Sequence, residues 1–282
     1  MTLPPIPRLP LNDGNSIPQL GFGVFKVPDD ETQAAVELAL ESGYRSIDTA
    51  AFYQNERGVG RGLAASGLPR DDMFVTSKVW NDQQGAELTR ASFEHSLDLL
   101  GLDRLDLFLI HWPVPSRDLY VETWQTLIGL REQGLVTSIG VSNFEPAHLE
   151  RLITETGVVP AINQVELHPY LTQQAVRDYD AEHHIATEAW SPLAKGGDLL
   201  SETVLTAIAA EHGKSPAQVV IRWHLQRGTV VIPKSVTPSR VRENLDVFDF
   251  DLTASELEAI GSLDRDLRTG PNPNVFVLPP AA

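Results

Sequence analysis

Four ionisable side chains stand at or beside the ends of short apolar segments, where β-strands would stop. Asp48, Lys78 and His111 each end such a segment, and Tyr53 follows Asp48 within one loop. An ionised carboxylate is costly to bury without a partner, so Asp48 requires a cation, and Lys78 is the best candidate. If these strands meet at one rim, the four side chains form a proton-relay site.

Such a set is suited to protonating an alkoxide as it develops from a carbonyl group. An ammonium at about 4 Å, with an effective dielectric constant of about 20, favours a tyrosinate by about 4 kcal/mol, or about three pKa units. Burial opposes this shift. We expect Lys78 to prevail, so that Tyr53 becomes the better general acid. Asp48 would hold Lys78 in place, and a neutral His111 would orient the carbonyl oxygen.

Each residue also has a structural interpretation when it is taken alone. Asp48 can cap a turn, and Lys78 can reach solvent from a sheet edge. His111 can be a hydrogen-bonded core histidine, and Tyr53 can be loop surface. Four such groups at one inferred rim favour the catalytic interpretation.

A carbonyl reduction also needs a hydride donor, which indicates a nicotinamide cofactor. Ser142-Asn143 and Asn163-Gln164 place hydroxyl and carboxamide groups in or after strands, where they suit the nicotinamide carboxamide. Trp190 ends another strand and can stack on the ring.

The loop after the last apolar strand is basic. It carries Lys234, Ser235, Thr237 and Arg240, and loops after the last two strands are a common phosphate site in α/β barrels. In a chain with a formal net charge of -16, a focused basic loop indicates a phosphate clamp. Two cations favour an extra phosphate on the adenosine ribose, and therefore NADP over NAD.

Eight short apolar segments alternate with helix-length segments along the 282 residues. This alternation predicts parallel strands, and eight of them can close into a barrel whose active site lies at the strand C-termini. Asp13-Gly14 predicts an N-terminal β-hairpin, and a further helix is expected at the C-terminus. We therefore predict a single α/β domain over residues 1–282, a (β/α)8 TIM barrel with strands at 20–23, 45–48, 74–78, 107–111, 138–141, 161–165, 186–190 and 230–233.

An open doubly wound sheet is the alternative architecture. It requires a glycine-rich dinucleotide fingerprint early in the chain. Segment 21–26, Gly-Phe-Gly-Val-Phe-Lys, lacks the third glycine. Segment 58–63, Gly-Val-Gly-Arg-Gly-Leu, also fails and lies in a helical context. The barrel is therefore favoured.

The composition is that of a soluble globular protein, with 42% hydrophobic and 21% charged residues. The negative charge opposes binding to nucleic acid or to an anionic membrane surface. Because the sequence has no cysteine and no His-Glu-x-x-His pattern, we expect no disulfide and no metal site. No signal sequence or transmembrane-length apolar segment is apparent. We expect a cytoplasmic monomer that takes a small-molecule carbonyl substrate.

The motifs, in their order and over essentially the whole chain, resemble those of the aldo-keto reductase family. Segments 189–192, Ala-Trp-Ser-Pro, and 268–273, Arg-Thr-Gly-Pro-Asn-Pro, are most similar to the bacterial branch that includes 2,5-diketo-D-gluconate reductases. The matching motifs are 43–56 (Gly-Tyr-Arg-Ser-Ile-Asp-Thr-Ala-Ala-Phe-Tyr-Gln-Asn-Glu), Ser77-Lys78, 111–113 (His-Trp-Pro), 140–144 (Gly-Val-Ser-Asn-Phe), 163–169 (Asn-Gln-Val-Glu-Leu-His-Pro) and 232–235 (Ile-Pro-Lys-Ser).

The resemblance implies a TIM barrel that reduces aldehydes or ketones with NADPH through the tetrad Asp48, Tyr53, Lys78 and His111. Short segments after His111 and at the C-terminus suggest an open pocket. Many relatives have a tyrosine at the position of Trp190. For the substrate pocket we predict Phe25, Tyr53, Trp80, His111 and Trp112. For the cofactor we predict Gly23, Asp48, Ser142, Asn143, Gln164, Trp190, Ser191, Leu193, Lys234, Ser235, Val236, Thr237, Arg240, Glu243 and Asn244.

Two other functions remain open from the residues alone. The first is a barrel that binds NADPH as a sensor or regulatory subunit without significant turnover, although a sensor need not retain Lys78 and His111. The second is an isomerase or hydrolase that uses His111 and Asp48, which would show no dependence on nicotinamide.

Overall fold

The structure, a computed structural model, describes residues 5–277, which contain ten β-strands and ten α-helices. The strands are β1 Arg8–Pro10, β2 Ser16–Pro18, β3 Phe22–Gly23, β4 Ser46–Asp48, β5 Phe74–Val79, β6 Leu105–Ile110, β7 Val136–Ser142, β8 Ile162–Glu166, β9 Ala186–Trp190 and β10 Val230–Val231. The helices are α1 Asp29–Ser42, α2 Glu56–Ala65, α3 Ala86–Leu100, α4 Tyr120–Glu132, α5 Pro146–Thr156, α6 Gln174–Glu182, α7 Thr203–His212, α8 Pro216–Gln226, α9 Pro238–Glu243 and α10 Ala254–Gly261.

Strands β3 to β10 form one parallel sheet in chain order, and this sheet curls into a barrel. The seam between β10 and β3 is joined by three backbone hydrogen bonds, one of which runs from Gly23 N to Pro233 O at 3.3 Å. Gly21 N donates to Val231 O at 2.8 Å, and Val231 N donates to Gln19 O at 2.9 Å. The predicted (β/α)8 barrel is confirmed, and all strand C-termini lie at one rim.

The hairpin predicted at Asp13-Gly14 is also confirmed. Strands β1 and β2 pair antiparallel, and Gly14 has a φ of 87°, a left-handed conformation that favours glycine. Leu11 and Ile17 of the hairpin are buried against residues of the barrel strands, among them Ile162 at the first position of β8. The hairpin therefore plugs the N-terminal end of the barrel, opposite the rim where β4 to β6 deliver the ionisable side chains.

Several strand ends differ from the predicted positions. Strand β10 stops at Val231, because Pro233 has no N–H to continue the ladder. Helix α4 begins at Tyr120, since Pro115–Arg117 forms a separate 3-10 turn. The expected C-terminal helix is present as α10, which packs against α7 and α8. None of the helices within residues 5–277 combines the length and hydropathy needed to cross a bilayer.

The glycines of segment 58–63, which failed as a dinucleotide fingerprint, instead let helix α2 pack closely. A Cβ on Gly60 would lie 2.5 Å from the carbonyl oxygen of Leu100 at the end of α3. A Cβ on Gly62 would lie 2.7 Å from Cβ of Val36 in α1. These separations are shorter than any normal contact, so a side chain larger than hydrogen does not fit.

We expect Gly60→Ala to destabilise the protein by about 1–3 kcal/mol, because the backbone of Leu100 must move to accommodate a methyl group. Gly129→Ala is the matched control. Gly129 also lies in a helix, but a Cβ added there would be 4.0 Å from its nearest neighbour, Nε2 of Gln133. That substitution should stabilise the protein by about 0.5–1 kcal/mol. Urea unfolding followed by circular dichroism measures the free energy of unfolding of both variants. Equal effects would refute the close-packing role of Gly60.

Candidate active site

The four predicted catalytic residues lie at the C-terminal rim of the barrel. Asp48 is the last residue of β4, Lys78 is the next-to-last residue of β5, and His111 follows directly after β6. Tyr53 ends the 3-10 turn Ala51–Tyr53 that follows β4. Because the strands are parallel neighbours, residues far apart in sequence meet here.

The amine of Lys78 is fully buried and lies between the acid and the phenol. Its Nζ is 2.7 Å from Asp48 Oδ1 and 2.9 Å from the carbonyl oxygen of Thr49. It is 3.5 Å from the hydroxyl of Tyr53. The three ammonium protons therefore have three acceptors.

A further buried acid, Glu188 in the middle of β9, joins this group. The carboxamide nitrogen of Gln164 donates to Asp48 Oδ2 at 2.8 Å and to Glu188 Oε2 at 2.9 Å. The sequence analysis did not identify Glu188. An acidic residue inside the apolar strand 186–190 was the available signal, because a carboxylate is rarely buried without a role.

One ammonium thus faces several buried acidic groups. Burial alone would lower the pKa of Lys78, but Asp48, followed by Tyr53, raises it above its ordinary value. Burial, together with the charge of Asp48, raises the pKa of Glu188 to about 8. At neutral pH Glu188 therefore holds a proton while Lys78 stays charged.

The expected acidification of Tyr53 is wrong in its net direction. Burial raises the pKa of Tyr53 to about 12, and the opposing effect of Lys78 is smaller. The hydroxyl therefore keeps its proton throughout the neutral range. Lys78 still lowers the free-energy cost of forming the tyrosinate, because its charge lies beside the oxygen.

His111 is neutral, as expected. Burial, and then the charge of Lys78, lower its pKa well below the ordinary value. Its ring packs edge-on against Tyr53, with centroids 5.7 Å apart, and against Trp80 at 5.0 Å. Its backbone carbonyl accepts a hydrogen bond from Asn143 Nδ2 at 2.9 Å. A neutral imidazole can donate to a carbonyl oxygen without supplying a competing acid.

The predicted nicotinamide contacts form one hydrogen-bonded network beside these residues. Ser142 Oγ donates to the carbonyl oxygen of Gln164 at 2.7 Å, and Asn143 Nδ2 donates to Ser142 Oγ at 3.0 Å. Trp190 Nε1 donates to Asn143 Oδ1 at 2.8 Å, which fixes the orientation of the indole. Asn163 instead bonds Phe144 and Asp180 behind the sheet, so it is a structural residue.

The other predicted cofactor residues lie around the same rim. Gly23 ends β3 beside Asp48, and Ser191 and Leu193 follow β9. Lys234, in the loop after β10, and Arg240, in α9, are exposed, and neither forms an ion pair within the described chain. Two unpaired cations suit a phosphate group. Val236 and Thr237 are also exposed, Ser235 and Glu243 are half-buried, and Asn244 is buried.

Aromatic rings line the opening above Tyr53 and His111. Phe25 packs against Tyr53 with centroids 4.9 Å apart, and Trp112 packs against Phe276 at 4.6 Å. Trp80 stacks on Phe52 at 3.8 Å. Phe52 is 47% exposed and was not predicted, although its position directly before Tyr53 was a signal.

A second buried strand acid, Glu166 at the end of β8, binds the C-terminal segment to the rim. Glu166 Oε1 accepts from Thr269 N at 2.6 Å and from Thr269 Oγ1 at 2.5 Å, and its Oε2 accepts from Gly270 N at 3.0 Å. Burial opposes ionisation, but these bonds and His168 together lower the pKa of Glu166. A Cβ on Gly270 would lie 2.5 Å from Cη2 of Trp190, so the segment packs directly on the indole.

Comparison with known proteins agrees with this geometry. The sequence pattern described as the Aldo/keto reductase family matches residues 19–265. This chain belongs to the aldo/keto reductase family. It is therefore an oxidoreductase that acts on carbonyl groups with NADPH, and the predicted family, fold and cofactor are confirmed.

Similar proteins cover nearly the whole chain. An aldo-keto reductase of Mycolicibacterium smegmatis is 56% identical over 96% of this chain and 98% of its own length. Methylglyoxal reductase DkgA of Escherichia coli K12 is 52% identical over 94% of this chain and 96% of its own. The crystal structure of a Gox0644 mutant in complex with NADPH superimposes with a TM-score of 0.94 at 49% identity, covering 98% of this chain and 100% of that one.

We expect Glu188→Gln to gain stability relative to the natural protein as pH rises from about 4.5 to about 8. Glu188 has a raised pKa in the folded state, so its contribution is complete below about 4.5 and is lost as pH rises toward about 8. Glutamine does not titrate and does not suffer this loss. Each kcal/mol of difference should appear as about 2–4 °C in Tm.

Glu166→Gln is the matched control for this experiment. The pKa of Glu166 is lowered in the folded state, so its contribution is present above its unfolded pKa and is lost as pH falls. The variant should be less stable than the natural protein at neutral pH, and the gap should close on acidification. Thermal unfolding between pH 4 and about 8.5 measures the Tm of both variants and of the natural protein. Parallel pH profiles for the two variants would contradict the assignment.

Proposed function

We propose that this aldo-keto reductase reduces small reactive aldehydes, in particular 2-oxoaldehydes such as methylglyoxal, with Tyr53 as the proton donor. The observation that carries the assignment of Tyr53 is the buried ammonium of Lys78, 2.7 Å from Asp48 and 3.5 Å from the phenol. Relatives from Escherichia coli, Salmonella typhimurium and Yersinia pestis, 52–54% identical, are named methylglyoxal reductase, which supports the substrate class. The exposed aromatic rings of Phe25 and Phe52 at the rim suit contact with a small carbonyl compound.

Bound NADPH supplies a hydride to the carbonyl carbon. Tyr53 donates its hydroxyl proton to the carbonyl oxygen, so that an aldehyde becomes a primary alcohol. Lys78 stabilises the tyrosinate that remains, and Asp48 holds the ammonium at the phenol. His111 donates a hydrogen bond that orients the carbonyl oxygen toward the proton donor.

The remaining predicted contacts complete the site in this proposal. Ser142, Asn143 and Gln164 position the nicotinamide carboxamide, and Trp190 stacks on the ring. Lys234, Ser235 and Arg240 hold the extra phosphate of NADPH, assisted by Val236, Thr237, Glu243 and Asn244. Gly23, Ser191 and Leu193 border the cofactor, and Phe25, Trp80 and Trp112 border the substrate.

We also propose that the chain is one domain and acts as a cytoplasmic monomer. A net charge of -16 opposes self-association. A chain without cysteine is compatible with a reducing compartment.

Tyr53→Phe should lower kcat for methylglyoxal by about 10²–10⁴-fold, because it removes the general acid but keeps the ring. Tyr44→Phe is the matched control. Tyr44 is also a buried tyrosine, but its hydroxyl bonds the carbonyl oxygen of Val241 at 3.2 Å, so turnover should be retained. Loss of nicotinamide absorbance at fixed NADPH measures both. Normal turnover in Tyr53→Phe would reject the assigned acid.

The same experiment separates the reductase from an NADPH sensor. A sensor would quench tryptophan fluorescence on NADPH addition without consuming any carbonyl compound. For the reductase, Tyr53→Phe should still bind NADPH with an affinity within about threefold of the natural protein, because the phenol lies away from the basic loop.

Arg240→Gln should raise the KM for NADPH by about tenfold or more and leave the KM for NADH nearly unchanged. The reason is that Arg240 is proposed to contact only the phosphate that NADH lacks, and a charge-assisted hydrogen bond contributes about 1.5–3 kcal/mol. Arg242→Gln, two residues further in the same helix, is the matched control and should change neither value. If Arg240→Gln raised the KM for NADPH and the KM for NADH equally, Arg240 would not belong to the phosphate site.

A further inference from the structure

We propose that this chain has a second ligand site, at the N-terminal end of the barrel, where Arg177 and Arg227 bind the phosphate group of a small phosphate monoester. The site is a cavity of about 320 Å³. It is independent of the carbonyl-reducing centre and of the basic loop at the opposite rim.

The cavity lies beside the hairpin that plugs the barrel. Leu9 and Pro10 of β1 form one wall, and Ala186, the first residue of β9, lies at its base. Trp190 at the catalytic rim is four residues along the same strand, or roughly 13 Å away. Arg177 enters from α6, and Arg227 follows α8.

Both arginines are half-buried. Neither guanidinium forms a hydrogen bond or an ion pair with any residue in the range 5–277. The guanidinium of Arg227 rests over the ring of Trp223, with its carbon 4.5 Å from the ring centroid. This contact holds the group in place and leaves its N–H donors free to bind a ligand.

The two cations are unfavourable neighbours in the absence of an anion. Burial, and then the charge of Arg177, lower the pKa of Arg227 to about 10. Burial also lowers the pKa of Arg177. A buried charge without a partner is costly, and the cost is reduced when an oppositely charged group enters.

Three nearby acidic residues, Asp178, Asp180 and Asp264, partly offset the lowering of these pKa values, but within residues 5–277 each forms its hydrogen bonds with other groups. Asp180 accepts hydrogen bonds from Asn163 at 3.3 Å and Thr187 at 2.8 Å. Asp264 accepts from Thr172 at 2.5 Å. The two arginines share one cavity and are both half-buried, so an anionic ligand that enters the cavity can contact both guanidinium groups at once.

The charge and shape of the cavity indicate the ligand class. A phosphate monoester carries a charge of about -1.5 to -2 at neutral pH, which matches two guanidinium groups. A monocarboxylate would leave one cation uncompensated. Arginine binds phosphate through paired N–H donors. The apolar wall of Leu9, Pro10 and Ile185, and a volume in the range of small-molecule sites, leave room for a short organic group.

The test is calorimetric titration of the protein with glycerol 3-phosphate, in the presence of saturating NADP+ so that the basic loop at the other rim is filled. Ionic strength is held constant with sodium chloride. We expect one saturable site per chain and a rise in Tm with ligand concentration. Arg177→Gln and Arg227→Gln should each weaken binding at least tenfold. Arg131→Gln removes a half-buried arginine near the end of α4 that forms no ion pair with residues 5–277, and it should leave the affinity unchanged.

A second measurement tests the unpaired state of the arginines directly. Without ligand, Arg177→Gln should have a Tm equal to or above that of the natural protein, because it removes one of two repelling charges. A structural arginine would give a lower Tm instead. The proposal is overturned if the natural protein shows no saturable binding, if both variants bind as tightly as it does, or if Arg177→Gln lowers the Tm without ligand. Equal binding of succinate would overturn the assignment to phosphate.

Discussion

The site depends on one buried cation, the ammonium of Lys78. It is the partner of Asp48 and lies beside the hydroxyl of Tyr53, and Gln164 links Asp48 to Glu188. Charge interactions are strong in this interior because water is excluded. The amine would be unstable here without Asp48, and Asp48 would be unstable without the amine. The position of the phenol, and therefore the chemistry, follows from this mutual requirement.

Burial raises the pKa values of Tyr53 and Glu188, whereas it lowers the pKa of His111. The raised pKa keeps the proton on Tyr53 at neutral pH, and the lowered pKa keeps the imidazole of His111 uncharged. Glu188 keeps its proton at neutral pH because burial and the charge of Asp48 both oppose its ionisation. The result is a preorganised centre in which the protonated phenol of Tyr53 lies beside the charged amine of Lys78 at neutral pH.

Packing contacts at both ends of the barrel stabilise the fold around this site. The hairpin closes the N-terminal end, and the glycines of α2 let this helix pack closely on α1 and α3, of which α3 also contacts β5. At the C-terminal rim, Glu166 fastens residues 269–270 over Trp190. The cavity between Arg177 and Arg227 lies on the far side of this arrangement, about one strand length from the catalytic rim, so the two regions can be altered independently.

The sequence alone determined the barrel and the location of the tetrad. Strands that alternate with helices must run parallel, and parallel strands bring Asp48, Lys78 and His111 to one rim whatever the details of packing. Local chemistry at Asp13-Gly14 likewise determined the hairpin. Tertiary structure decided the protonation states. Glu166 and Glu188 are both acids within strands, yet their pKa values shift in opposite directions. Glu166 receives donors from Thr269, 103 residues away, whereas Glu188 faces Asp48 across Gln164. The sequence does not contain these distances, and charge interactions depend on them directly.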